Sequence, residues 1–352
     1  MTQQQIAGHI RTARGAVYDH TGGPEVLRVV SRPLPDPAPG EVRVRVHRSG
    51  VNPTDWKSRQ GSGEPSPVDP PQVPNQDGSG VVDALGPGVD PDWYGRRVWL
   101  WEAAYQRAHG TAQEFTVIPV RQVVKLGDNA SFDLGASLGI PFITAHRCLT
   151  VTEEGPNRLG PGTLTDRFVF VAGGAGAVGN AAIQLARWSD ATVITTVSTP
   201  EKATLATAAG ADHVINYTEQ DVAAEVHRIS SRGVDTIVEV SPAVNAALDA
   251  EILARLGSVA IYANNGGDHM SLPVRPLMAP NARWQFVLVY TAPIEAKVVA
   301  IEDLTAATSA GAVRVGEEAG LPLHHFSLEQ TAEAHAAVQN SFIGKVLIDV
   351  TD

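Results

Sequence analysis

The chain has 352 residues, 43% of them hydrophobic and 18% charged, which excludes wholesale disorder and asks for more than one core. Its charge of −11, from 27 basic against 38 acidic residues, repels phosphate backbones and anionic lipid, so nucleic acid and membrane are poor partners. Cys148 is the single cysteine, which excludes an internal disulfide and a four-thiolate zinc site. No run of 18 apolar residues occurs and the amino terminus lacks an apolar signal core, so a cytoplasmic location is expected.

Residues 15–125 read as β-rich. Val42-Arg43-Val44-Arg45-Val46 alternates as a half-buried strand should, and residues 81–82, 97–100 and 114–117 are further short strands. Residues 33–39 and 61–74 are rich in proline and glycine and read as surface loops, so a small barrel or sandwich is predicted. Near Ser131 the character changes. Phe168-Val169-Phe170-Val171-Ala172 is a continuous apolar run, as in a strand buried on both faces. Helices over 180–187, 200–209, 221–230 and 243–256 then alternate with strands over 191–197, 213–216, 235–240 and 258–262. Strict alternation demands a parallel, doubly wound sheet over residues 139–290. Beyond it, residues 294–310 read as a helix and 345–350 as a closing strand, which fits either a continuing sheet or a return to the first domain.

Gly174, Gly176 and Gly179 form G-x-G-x-x-G directly after the buried strand, with Ala177 and Val178 opening the next helix. The spacing supplies a tight turn, backbone approach to a pyrophosphate and close helix–strand packing, while the helix N-terminus meets the phosphate charge. A plain glycine-rich loop is the alternative, but the βα units that follow favour a dinucleotide. An NAD site wants an acid at the end of the second strand, for the ribose 2′-hydroxyl. Here that strand runs into Ser198, Thr199, Pro200, Glu201 and Lys202, with no acid at its tip. Ser198 and Lys202 can meet a 2′-phosphate and Tyr217 can add a hydroxyl, so NADPH is expected; an ordinary solvated helix residue is the other reading of Lys202.

These motifs, together with residues 49–55 (SGVNPTD), 75–80 (NQDGSG) and 139–145 (GIPFITA), resemble the medium-chain dehydrogenase/reductase superfamily, in its zinc-free, ζ-crystallin-like quinone oxidoreductase branch. The resemblance implies an α/β architecture with a GroES-like β-rich domain over 1–138, a Rossmann domain over 139–290 and a return to the first domain over 291–352. It places the active site in the interdomain cleft. Zinc-dependent relatives carry a cysteine and a Gly-His-Glu triplet where this chain has Val51-Asn52 and Asn75-Gln76-Asp77, so no metal is expected. That limits the chemistry to acceptors that spread charge by conjugation, a quinone or an α,β-unsaturated carbonyl.

By resemblance, Asn52 lies nearest the reacting carbonyl, with capping of the turn before Pro53 as its alternative. Many quinone reductases carry a tyrosine where this chain has Lys57, which could stabilise an enolate or simply face solvent, and Asp55 could pair with Lys57 or hold the loop. Thr144, Asn264 and Asn340 fall at positions expected to contact the cofactor. The strand over residues 283–290 would pair with its twin in a homodimer. Two alternatives stand beside the small-molecule reductase: a trans-acting enoyl reductase on thioesters, motivated by Lys57, and an NADPH-binding protein without turnover.

Overall fold

The computed structural model describes residues 11–153 and 155–351. In chain order the elements are β1 Thr12–His20, β2 Arg28–Pro33, β3 Glu41–Val51, α1 Pro53–Gln60, β4 Pro67–Gln72, β5 Asp77–Leu85, β6 Arg97–Leu100, β7 Phe115–Pro119, β8 Val123–Lys125 and α2 Phe132–Leu149. They continue with β9 Phe168–Val171, α3 Ala177–Trp188, β10 Thr192–Val197, α4 Pro200–Ala208, β11 His213–Asn216, α5 Val222–Ile229, β12 Val234–Glu239, α6 Pro242–Ile252 and β13 Leu253–Ile261. The last are α7 Val274–Met278, β14 Arg283–Phe286, α8 Ile294–Ser309, β15 Leu323–Ser327, α9 Thr331–Gln339 and β16 Lys345–Asp349. Among the described residues no helix is long and apolar enough to cross a membrane.

The chain divides into two compact units. The first takes the described residues up to Ala136, then His325–Phe342 and Val346 onward; the second takes Ser137–His324 and Ile343–Lys345. In this division the return to the first unit falls at His325, later than the expected residue 291.

The first unit is built on β3. Val42, Val44 and Val46 are fully buried, and the whole strand pairs with β5 on one edge. The other edge is shared: β7 pairs with its first half and β16 with its second. Sheet order is β15-β16-β3-β5-β6-β8, with β2-β1-β4 as a separate three-stranded sheet. Two apolar clusters fill it, one around Val42, Val82 and Leu100 and one that packs α9 against β3 and β16. The expected loop over 61–74 contains a strand: β4 pairs antiparallel with β1, and its prolines sit at a sheet edge, where a missing N–H costs little.

The second unit is a parallel sheet in the order β11-β10-β9-β12-β13-β14. The order reverses at β9, so a switch point opens between β9 and β12 at the carboxyl ends of the strands. The helix expected over 243–256 ends at Ile252, and Leu253 already pairs with Val234. Burial of Leu253 and Ala254 against the sheet outweighs the helical propensity of that stretch. The strand expected over 283–290 is β14 alone, followed by a 3₁₀ turn at Val289–Thr291.

Candidate functional site

In the second unit, β9 delivers the chain into the glycine turn and α3 leaves it. A Cβ on Gly174 would stand 2.2 Å from Thr195 Oγ1, and one on Gly179 would stand 2.4 Å from the Gly173 carbonyl. Both positions therefore exclude a side chain by packing, of the turn on β10 and of the helix on the turn. Gly176 differs. A Cβ there would meet nothing closer than 3.5 Å, so that face of the backbone is open to a ligand. Gly176 caps α3, and the N–H groups of Ala177 and Val178 lie in the first helical turn, where no intrahelical acceptor exists. An anion with close backbone approach fits this cradle.

At the tip of β10, Lys202 Nζ donates to Ser198 Oγ at 2.9 Å, and Thr199 caps α4 by accepting the Lys202 N–H. Asn216 pairs with Val197, which sets Tyr217 beside the same tip, 55% exposed, its N–H on the Val197 carbonyl. Glu201, in the first turn of α4, is held below the ordinary carboxylate range by its own backbone N–H and by Thr199. Ser198, Lys202 and Tyr217 thus stand together.

On the other side of the switch point, a cleft of about 520 Å³ opens at the ends of β13 and β14, lined among others by Tyr262, Asn264, Met270, Phe286 and Leu288. Asn264 donates to Asp268 at 2.5 Å. On β12 and α6, Glu239 and Asp249 are both fully buried; burial first, and then the Glu239 charge, push Asp249 up to about 9. The pair therefore holds a proton at neutral pH. Thr144 lies buried on α2 in this unit.

In the first unit, Asn52 is the N-cap of α1 and only 2% exposed. Its Nδ2 donates to Asp77 Oδ2 at 2.7 Å, and its N–H donates to Asp55 Oδ2 at 2.7 Å. The other Asp55 oxygen accepts the Gln76 N–H at 3.1 Å, so Asp55 ties the start of α1 to the 75–77 loop. Lys57 is exposed on α1, its ammonium 5.8 Å from the Trp56 ring centre. Asn340 is an exposed C-cap at the end of α9. Residues 75–77 stand out in the sequence as a motif, yet the sequence assigns Asp77 no role. The signal available was an acid flanked by polar residues where a strand begins.

Two family models match: an alcohol dehydrogenase GroES-like domain over residues 38–128 and a zinc-binding dehydrogenase domain over residues 177–305. The pig quinone oxidoreductase is 29% identical over 91% of this chain and 92% of its own length, and the mouse one is 30% identical over 70% and 71%. Among solved structures, an NAD-dependent alcohol dehydrogenase superposes with a TM-score of 0.82 at 28% identity, covering 96% of this chain and 100% of that one. A mycobacterial protein solved in complex with NADPH gives 0.78 at 28% identity, over 96% and 99%. One model's description names zinc; among the described residues no group of three or more His, Cys, Asp or Glu side chains that could hold a metal ion occurs.

Proposed function

The chain belongs to the medium-chain dehydrogenase/reductase superfamily, in its ζ-crystallin-like quinone oxidoreductase branch, and on that premise we propose that it is an NADPH-dependent reductase of quinones and small α,β-unsaturated carbonyls. The observation that carries the reading is the open face of Gly176 in a turn whose Gly174 and Gly179 are closed, next to a β10 tip bearing Ser198 and Lys202 instead of an acid.

In this reading the first-turn N–H groups of Ala177 and Val178 hold the pyrophosphate, and Ser198, Lys202 and Tyr217 hold the 2′-phosphate. Asn264 in the β13–β14 cleft, Thr144 and Asn340 contact the rest of the dinucleotide. When bound, NADPH supplies a hydride; one proton completes the two-electron reduction of the acceptor. Asn52, oriented by Asp77, serves as donor to the acceptor's carbonyl oxygen, while the Lys57 ammonium favours negative charge developing there. A conjugated acceptor needs no more, because its charge is already spread. Lys57 also supports a second reading, an enoyl thioester as acceptor, since an exposed cation suits an enolate that conjugation relieves less.

β14 is an edge strand of the sheet, and Phe286 at its end and Leu288 just beyond it are 64% and 58% exposed. An apolar edge of this kind calls for a cover, and we assign that role to the β14 of a second copy.

The test is NADPH oxidation, with NADH in parallel, against a naphthoquinone, a ring enone, a linear enal and an enoyl thioester. Turnover with NADPH well above NADH is expected, best on the quinone or enone. A preference for the thioester would select the second reading, and binding without turnover on every acceptor would reject both.

A further inference from the structure

The catalytic reading uses the start of α1, yet the last turn also carries a fully buried residue. Arg59 is fully buried, and its hydrogen bonds go to neutral groups: its Nε donates to the Gly22 carbonyl at 3.2 Å and its Nη2 to Gln339 on α9 at 3.0 Å. Its Nη1 has no acceptor. One turn back on α9, His335 is also fully buried, and its Nδ1 has no donor. Burial, and then the Arg59 charge, push the His335 ring down to about 3, so the ring is neutral. A neutral ring has one N–H. Asn75 Nδ2 donates to Ser49 Oγ at 2.9 Å, which leaves Asn75 Oδ1 as acceptor of His335 Nε2–H at 2.9 Å. Nδ1 is then an acceptor that, like the Arg59 Nη1 donor, has no partner.

The chain of bonds does not stop at Asn75. Ser49 Oγ meets Thr111 Oγ1 at 2.7 Å, and Thr111 Oγ1 donates to the Asp77 carbonyl at 2.6 Å. With donors running from Asn75 to Ser49 to Thr111, every link has one hydrogen and one acceptor. Asn75 itself is fully buried with φ of +79°, a left-handed backbone that a non-glycine residue keeps only when its surroundings hold it. Two residues later Asp77 takes the amide of Asn52.

We propose that His335 is a positioning residue, which, with Arg59, docks α9 against α1 and through Asn75 sets the 75–77 loop that aims Asn52. The proposal rests on the role given to Asn52 above. It assigns a place to a buried histidine of α9 and a buried arginine of α1 that the proposed function leaves without a role.

The test uses the full chain as wild type, His335→Leu, His335→Gln and Asn75→Gly, with acceptor kcat and KM, NADPH affinity by fluorescence and thermal midpoint. Glutamine carries one amide donor and one carbonyl acceptor, so it can replace both ring nitrogens. Glycine at position 75 keeps the left-handed backbone and deletes the side-chain links. In H335L and N75G, kcat is expected to fall about tenfold or more below wild type while NADPH affinity stays within about twofold, and H335Q should recover most of the rate. A lowered midpoint with wild-type kcat in N75G would overturn the proposal, even if H335L failed to fold. Should the wild type turn over no acceptor, the reductase reading fails separately. The crystal structure of N75G then decides: an Asn52–Asp77 bond left in place overturns the positioning role, and its loss supports it.

Discussion

The turn between β9 and α3 and the start of α1 are built by opposite means. At the first, the shape comes from side chains that are missing: two glycines let the turn pack on β10 and the helix on the turn, and a third leaves a face open. At the second, it comes from side chains that are present and buried, Asn52, Asp55 and Asp77 bonded to one another and to backbone N–H groups. One region fails when an atom is added and the other when a donor or acceptor is lost. Their failures therefore separate in experiment.

The largest effect is expected at Gly174 and Gly179. Alanine there must displace Thr195 or the Gly173 carbonyl, so G174A and G179A should lose about 1–3 kcal/mol of stability together with cofactor binding, read by denaturant unfolding and fluorescence titration. Gly176→Ala has room, so it should unfold like wild type while losing cofactor affinity; equal instability in all three would break the distinction. Next is Asp55→Ala, which strands two backbone N–H groups, and an unfolding cost of about 2–3 kcal/mol is expected with NADPH affinity unchanged. Lys202→Ala should weaken NADPH about tenfold and leave NADH unmoved, measured as the ratio of KM values.

Two buried groups, one in each unit, answer pH with opposite signs. His335 has its folded pKa lowered to about 3, so its contribution is present above the ordinary histidine value and is lost as pH falls from there toward 3. Asp249, paired with Glu239, has its folded pKa raised to about 9, so its contribution is present below the ordinary carboxylate range and declines as pH rises toward 9. Each slope is about 1.4 kcal/mol per pH unit at most. Asp249→Asn should flatten the decline that runs from the ordinary carboxylate range up to about 9, read above the ordinary histidine value where His335 no longer titrates, and H335Q should flatten the loss between that value and about 3, each followed by thermal midpoint across pH.

How much could be read in advance follows the same division. The glycine turn, the alternating strands and helices after it, and the tip with Ser198 and Lys202 are contiguous, and each signal is local: a period, a turn residue, a missing acid. Asn52, Asp55 and Lys57 stand out through likeness to a family, not through any pattern of their own. Asp77 received no role, and His335 and Arg59 drew no notice, because a lone histidine on an amphipathic helix looks the same whether it faces water or Asn75.

Composition and short-range order were thus enough to specify a parallel nucleotide-binding sheet, its glycine cradle and the residues at the tip of β10. Sheet register and burial were needed for the rest. The prolines of 67–71 become an edge strand only because β1 is there to pair with them, and Leu253 leaves its helix because β12 offers a partner. Residues 52, 75, 77 and 335 form one network because β3 and α9 meet in one core and β5 pairs along β3, and contacts across 260 positions leave no trace in local periodicity.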